Sequence, residues 1–456
     1  MQLPDDFIQL VRPVFGEERF ERFLQALDEE SPVSIRVNPR IVHSSQCIVH
    51  SSQCIVHSSQ CTNQSPDAQP NYELCTMNYE LQSVPWCRHG FYLPTRPNFT
   101  FDPLLHAGCY YVQEASSMFL DEVLRQHLII QNSELRIHNC LDLCAAPGGK
   151  STLMRSALPE GSVLFSNEPV RKRASILLEN VTKWGYPNHY VTNLYPKDYR
   201  KSKMMFDVIL CDVPCSGEGM FRKDPDSIRE WSLQNVERCQ QLQREIVSDA
   251  WQCLNDGGLL IYSTCTYNIK EDEENVRWIL EELGGEPLTV ETKAEWGITG
   301  SLLQGFSAPV YRFIPGYTHG EGLFMAAIRK GKPVGHQYPV ISKPKSGDDK
   351  TRRWLQQNQT LVMTKPDAGC DVTNVGSPHA ELSYPQAISY LRGEALVLPP
   401  DVPRGLVTVT FMGQPLGPVK NIGTRANNLY PKEWRIKSTH VPTEYTPIID
   451  LKQQNS

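Results

Sequence analysis

The sequence predicts an α/β protein whose centre is a doubly wound domain over residues 110–330. Three observations predict it. Apolar runs of strand length alternate with amphipathic helical stretches through this region. One strand runs into a glycine-rich loop that opens a helix, the place where doubly wound folds bind nucleotides. Two later strands each end in a polar loop carrying a cysteine, Cys215 and Cys265.

Residues 1–109 read as a small α+β region. Phe7, Leu10 and Val11, then Phe20, Phe23, Leu24 and Leu27, fall at helical spacing. Ser34 to Pro39 alternates and stops at proline, a short strand. Between 41 and 81 the chain repeats itself: Ile-Val-His-Ser-Ser-Gln-Cys occurs three times in tandem from Ile41 to Cys61, and Asn-Tyr-Glu-Leu recurs at Asn71 and Asn78. Cys47, Ile48 and Val49 are contiguous, so the heptad lacks the a/d pattern of a coiled coil. It reads as a duplicated surface loop, where insertions cost little. The alternative there is a pair of soft metal ligands, Cys47 with His50 and Cys54 with His57. No metal is expected at the central site.

In the central region the expected strands are Arg136–Leu143, Ser162–Ser166, Tyr190–Thr192, Phe206–Asp212 and Gly258–Ser263. A helix over Leu233–Leu254 carries Val236, Cys239, Leu242, Ile246, Val247, Ala250 and Leu254 on one stripe. Asn255-Asp256-Gly257-Gly258 is expected to stop it. Residues 331–385 form a linker and intermediate segment, rich at first in proline, glycine and lysine. Residues 386–440 are β-rich, notably Gly405–Phe411, and 441–456 form a polar tail.

A chain of 456 residues exceeds one hydrophobic core, and its length predicts about two to four domains. Apolar content of 40%, charged content of 21% and a mean hydropathy of −0.39 are those of an ordinary globular protein. No positively charged, apolar leader follows Met1. No run of about 20 apolar residues suits a membrane span. The expected location is the cytoplasm, where the fourteen cysteines stay reduced. No C-x-x-C pair supports a zinc site. A net charge of −6 excludes a uniformly basic coat for nucleic acid and leaves room for a local basic patch.

The glycine loop is Cys144-Ala145-Ala146-Pro147-Gly148-Gly149-Lys150, between the strand ending at Leu143 and a following helix. Its glycines admit a ligand to the backbone, and the helix N-terminus supplies free N–H groups. About twenty residues on, the next strand leads into Asn167-Glu168, where an acid can bond ribose hydroxyls. The rival is a phosphate-binding P-loop. Gly149-Lys150-Ser151 fits its end, but Cys144 occupies its first glycine position.

A cysteine after a strand is usually a packed small hydrophobe, the expectation for Cys140, Cys211, Cys239 and Cys253. Cys215 and Cys265 sit instead among Ser, Thr, Gly and Pro. A thiolate there can add to carbon 6 of a cytosine and make carbon 5 nucleophilic. The site must lower the thiol pKa or accept its proton.

At these residues the chain resembles the Sun family of RNA cytosine-C5 methyltransferases, and within it the RsmF type that acts on small-subunit ribosomal RNA. The resemblance rests on Tyr111–Met118, Cys144–Lys150, Asn167-Glu168, Asp212–Gly219 with Arg222–Asp226, and Ser263–Thr266 followed by Glu273-Glu274-Asn275. It implies a Rossmann-like class I domain that uses S-adenosyl-L-methionine. It further implies Cys265 as nucleophile, Cys215 in product release, and Asp212 at the target base and the donor. The loop 144–150 would line the methionine side of the donor, and Glu168 its ribose. The family's aspartate beside the adenine is replaced here by Tyr195, with Asn193 and Asp198 as neighbouring substitutes.

The C-terminal run Gly413–Lys420, then Asn427–Lys432, resembles the family's PUA-like RNA-binding module. Lys420, Arg425, Lys432, Arg435 and Lys437 face only Glu433 over residues 420–437, a local basic excess suited to phosphates. The expected partner is RNA, ribosomal RNA or a ribosomal subunit foremost, with no DNA and no membrane. The competing reading is a non-catalytic RNA-binding assembly factor on the same fold.

Overall fold

The computed structural model describes residues 1–44, 75–76, 79–129, 137–331, 362–363, 378–438, 440–442 and 444–449. The repeats from residue 45 onward, with Cys47, His50, Cys54 and His57, lie outside the described residues, as does most of the expected linker. The chain divides into two units. One comprises residues 1–32, 114–181 and 188–364, and the other 33–113, 182–187 and 365–456. This grouping divides the span 1–109 after residue 32 and keeps 386–440 whole within the second unit.

The first unit opens with α1 (Asp5–Phe15) and α2 (Glu17–Leu27), joined at Gly16. Gly16 takes φ 74°, which glycine adopts at little cost. The sheet then unfolds as β1 (Asn139–Asp142), α3 (Gly149–Ala157), β2 (Val163–Asn167), α4 (Arg171–Trp184) and β3 (His189–Thr192). It continues with α5 (Pro196–Ser202), β4 (Phe206–Asp212), α6 (Leu233–Cys253) and β5 (Leu254–Thr264). Helix α7 (Glu273–Glu282) precedes β6 (Gly285–Leu288), β7 (Tyr311–Phe313) and β8 (Leu323–Lys330).

The strand order is β6-β8-β5-β4-β1-β2-β3, with Val362–Met363 beyond β3 and β7 beside β8. Strands β5, β4, β1, β2 and β3 run parallel, while β8 lies antiparallel to β5. The chain steps outward from β1 to β3, then returns to place β4 on the other side of β1. That reversal opens a crevice at the carboxyl ends of β1 and β4, where open α/β sheets bind ligands. The expected α/β class holds, and Phe206–Asp212 matches its expected span.

Two sequence expectations about α6 change. Leu242 is 41% exposed and Gln243 is fully buried in its place. The glycine-rich stop after the helix is instead the bulged start of β5, where the register shifts between Leu254 and Leu259. Gly258 is required there, since a Cβ would stand 2.8 Å from the Asn255 carbonyl oxygen. Leu254 therefore ends as a buried strand residue, and the stripe it was to close is completed by Trp251.

Helices α1 and α2 bury Phe7, Val11, Phe15, Phe20, Phe23 and Leu27 against Phe221, Trp231, Tyr267 and Ile314. Phe7 meets Phe221 and Trp231 edge-on at 5.2 and 5.5 Å, and Phe23 meets Tyr267 at 4.9 Å. These rings follow the two cysteine loops in sequence, so the N-terminal helices back both loops.

In the second unit, Val33–Val37 lies between Gly90–Leu93 and Tyr110–Val112 in an antiparallel sheet. A four-stranded sheet is built from His379–Glu381, Gly405–Phe411, Gln414–Asn421 and Ala426–Asn428. Ile35, Phe91 and Tyr110 share one apolar core with Ile388, Val407 and Val419. The buried Asp102 carboxylate accepts from Tyr110 and Tyr445 hydroxyls at 2.6 and 3.0 Å, fastening residues from both ends of the unit. Among the described residues no helix is long and apolar enough to cross a membrane.

Candidate active site

The loop after β1 is held by backbone bonds to its neighbours. Leu143 N–H donates to Leu210 O at 2.9 Å and Ala145 N–H to Asn167 O at 2.8 Å. Arg173 and Asn180, from α4, donate to the Ala146 and Pro147 carbonyls at 3.0 and 2.9 Å. Gly148 stands at φ 119°, and a Cβ there would lie 3.2 Å from Leu177 Cδ1. Gly149 then begins α3, which Gly148 caps by accepting from Thr152 N–H at 2.9 Å. Pro147 is exposed, Cys144, Ala146 and Gly149 are half-buried, and Ala145 is buried.

Beneath this loop Asp142 is fully buried. Its Oδ2 accepts from the Ser151 hydroxyl, and its Oδ1 lacks a hydrogen-bond partner. Burial pushes this carboxyl up to about 7, against the Ser151 bond and helped by Asp212. Lys150 Nζ lies 2.9 Å from Asp212 Oδ1. Burial opposes the Lys150 charge, but the Asp212 carboxylate overcomes it and raises the ammonium pKa.

Glu168 sits at the end of β2 as expected. Its side chain is only 2% exposed and has Arg173 3.4 Å away. Its Oε1 accepts from Val170 N–H at 2.9 Å. Asn193 donates to the Glu168 and Pro169 carbonyls at 2.7 and 2.9 Å, fixing this turn from β3. Asp198 caps α5 through Tyr195 N–H at 3.1 Å, and Tyr195 is 60% exposed.

The two cysteine loops follow the adjacent parallel strands β4 and β5. Asp212 pairs with Ser263 in register, so Cys215 and Cys265 emerge side by side. Their sulfurs are 3.2 Å apart, and both residues are half-buried. The neighbouring Cys265 sulfur, together with burial, pushes the Cys215 thiol well up. Cys140, Cys211, Cys239 and Cys253 are buried small hydrophobes, as expected.

Several residues frame the pair: some lie in the blocks that carry the family resemblance without a role read from them, and Gln243, Glu271, Asp272 and Arg312 escaped the sequence reading. Gly219 N–H donates to Cys265 O at 2.7 Å, and a Cβ on Gly219 would stand 3.0 Å from that oxygen. Thr264 and Thr266 hydroxyls both donate to Asp272 Oδ1, at 2.5 and 2.9 Å. Buried Arg312 binds Asp272 and Glu273 and donates to Tyr267 O at 2.9 Å. Gln243 donates to Pro214 O at 2.9 Å and to Glu271 Oε2 at 2.7 Å, and accepts from Tyr262 and Asn275. The one signal for Gln243 was a polar residue beside the apolar stripe of α6.

In the second unit Lys420, Arg425 and Lys432 are exposed. Arg435 is half-buried, lies over Gly393 and reaches Tyr430 O at 3.5 Å.

A switch-point crevice with a glycine loop and two facing cysteines defines a Rossmann-like methyltransferase fold. The description "16S rRNA methyltransferase RsmB/F" matches residues 125–329, that of the RsmF N-terminal domain residues 58–115, and that of the RsmF PUA domain residues 377–436. "Ribosomal RNA small subunit methyltransferase F" of Cronobacter sakazakii is 30% identical over 424 residues, covering 79% of this chain and 86% of that protein. The protein of that name from Escherichia coli O6:H1 is 28% identical over 433 residues, covering 78% and 85%.

Two solved structures share the fold. A methyltransferase homolog from Pyrococcus horikoshii gives a TM-score of 0.53 at 23% identity, covering 72% of this chain and 95% of its own. NSun6 from the same organism, solved with SFG, gives 0.52 at 17% identity, covering 72% and 99%. The chain belongs to the RsmF family of methyltransferases. It is an enzyme of that class, and S-adenosylmethionine is its methyl donor.

Proposed function

We propose that this protein methylates carbon 5 of a cytosine in small-subunit ribosomal RNA, with Cys265 as the nucleophile. The observation that carries the reading is the Cys215–Cys265 pair, with sulfurs 3.2 Å apart beside the Lys150–Asp212 ion pair. The small-subunit RNA follows the names of the relatives in Cronobacter sakazakii and Escherichia coli.

The loop 144–150 suits the methyl donor. It combines the start of a helix, a glycine at φ 119° and a buried Asp142 oxygen without a partner. When bound, S-adenosylmethionine supplies an electrophilic methyl group. Cys144 to Lys150 would hold its methionine end, and Glu168, fixed by Asn193, its ribose. Arg173, 53% exposed, bridges Glu168 and the Ala146 carbonyl of the loop, tying the two parts of this site together. Asp198 is committed to capping α5, which leaves the exposed ring of Tyr195 to lie against the adenine.

Cys265 bonds to carbon 6 as a thiolate, and carbon 5 becomes the nucleophile. After carbon 5 is methylated, its proton leaves, the sulfur–carbon 6 bond breaks and the ring regains aromaticity. Cys215, against the Cys265 sulfur, serves that release. Asp212, steadied by Lys150, takes the polar edge of the base. The target base must stand out of its stack to meet thiol and donor together. Lys420, Arg425 and Lys432 offer contacts to RNA phosphates, and Arg435 braces the domain that carries them.

Labelled methyl transfer to ribosomal RNA tests this reading. Cys265→Ala is expected to lose transfer, and Cys215→Ala to accumulate a covalent RNA–protein adduct on denaturing gels. Full activity of Cys265→Ala overturns the assignment. Bisulfite sequencing of RNA from cells with and without the protein identifies the cytosine.

A further inference from the structure

Two buried carboxyls lie behind the cysteines, and neither has a part in the chemistry above. Glu218 and Glu271 are both fully buried. Glu218 belongs to the Cys215 loop, yet its Oε2 accepts from the backbone N–H groups of Tyr267 and Asn268, just past Cys265, at 2.5 and 3.0 Å. Glu271 belongs to the segment after Cys265, yet its Oε2 accepts from Ser216 N–H at 3.0 Å, and its Oε1 from the Ser216 hydroxyl. Each loop's carboxyl grips the other loop's backbone. Asn268 Nδ2 joins the two grips, donating to Glu218 Oε1 at 2.8 Å and to Glu271 Oε1 at 2.9 Å. Trp231 and Gln243 supply the remaining donors at 3.0 and 2.7 Å.

We infer that Glu218 and Glu271 are positioning residues for the two-cysteine reaction, a reciprocal clasp that fixes the Cys215 sulfur against the Cys265 sulfur. The inference rests on the proposed roles of the two cysteines. Burying two carboxyls together is poor as a source of stability, because desolvation competes with every bond they accept. Burial pushes both acids upward, and Glu218 further raises Glu271, to about 7. What the arrangement supplies is direction. Backbone N–H groups of two separate loops converge on fixed oxygens, and misplacement by about 1 Å can cost about 100-fold in rate.

Glu271→Gln keeps the volume and tests the clasp. All four bonds at the Glu271 oxygens come from donors, so an amide NH2 must oppose some of them whichever way it turns. The Gly219–Cys265 backbone bond still ties the loops. Expected is formation of the covalent RNA adduct at a rate within about 3-fold of the parent, with release slowed about 10-fold or more. The turnover number kcat should fall while kcat/KM for RNA and for the methyl donor stays within about 3-fold, so each KM falls with kcat. In Glu271→Gln/Cys215→Ala, the adduct should persist no longer than in Cys215→Ala alone, because the carboxyl acts through Cys215.

Release at the parental rate in Glu271→Gln overturns the inference, as does equal slowing of adduct formation and release. Extra slowing in the double variant also overturns it. If Glu271→Gln does not fold, Ser216→Ala removes one donor of the same grip and should slow release about 3-fold, while parental release refutes the clasp. Failure of Cys215→Ala to trap RNA instead strikes at the cysteine roles themselves. Trapping there, without slowed release in Glu271→Gln, strikes at the clasp alone.

Discussion

The loop proposed to hold the methyl donor and the cysteine loops stand side by side at the carboxyl ends of neighbouring strands and are held in opposite ways. The donor loop is shaped by its own backbone, through Gly148 at φ 119° and bonds from its carbonyls to α4. It leaves one buried Asp142 oxygen without a partner. The cysteine loops are held from outside by Glu218, Gln243, Glu271, Asp272 and Arg312, whose bonds cross between loops. A loop that receives a diffusible ligand keeps polar groups in reserve. The loops that carry the two sulfurs have most of theirs bonded within the protein, the buried Ser263 hydroxyl excepted.

The sharpest way to break that contrast is Gln243→Leu. It would remove the donor to Pro214 O and one of the two donors to Glu271 Oε2, and would take one acceptor from the Tyr262 hydroxyl and one from the Asn275 amide, both of which keep Glu271 O. At about 0.5–1.5 kcal/mol for each of these four lost bonds, thermal unfolding should drop by about 10 °C. Methyl transfer should fall about 100-fold. A Tm within about 2 °C of the parent would show that the cysteine loops do not depend on this support.

A smaller effect is expected from Gly148→Ala. The positive φ and the contact with Leu177 cost about 1–3 kcal/mol. The loss should fall on the donor, with its KM rising about 10-fold while KM for RNA is unchanged. An equal rise in both would mean that the donor loop also shapes the RNA site.

The smallest effect concerns Asp142→Asn. The folded carboxyl titrates near 7 and the unfolded one near 3.8. Between those values the folded protein binds more protons, so this group's contribution to stability falls as pH rises through the window and levels off above it. The asparagine variant lacks that fall. Its Tm relative to the parent should become more favourable by a few °C between pH 4.5 and 7.5. An unchanged difference would show that the Asp142 oxygen is not an unsatisfied charge.

The contrast also explains what was legible in the sequence. The donor loop is local: Cys144 to Lys150 carry their glycines, proline and lysine in one run, so motif and geometry coincide. The parallel strands were legible because they are short apolar runs bounded by turns, and Phe206–Asp212 matches its expected limits. The support of the cysteines was not legible. Glu218 and Glu271 are 53 positions apart and look like surface acids until the sheet brings their loops together. Gln243 was hidden by its polarity, although helical spacing centres it among the buried Val236, Cys239, Ile246, Val247 and Ala250. The core shared by Ile35 and Val407 was invisible because the whole catalytic region separates them in sequence.

Helices α1 and α2 leave the ribosome long before the surfaces that cover them. Their apolar faces wait for Phe221, Trp231, Tyr267 and finally Ile314. At a synthesis rate of about 5–20 residues per second, that wait is about 15–60 s. Through it, the row from Phe7 to Leu27 is the stretch of nascent chain most in need of a chaperone, and helices made early become the last wall of the domain to be set in place.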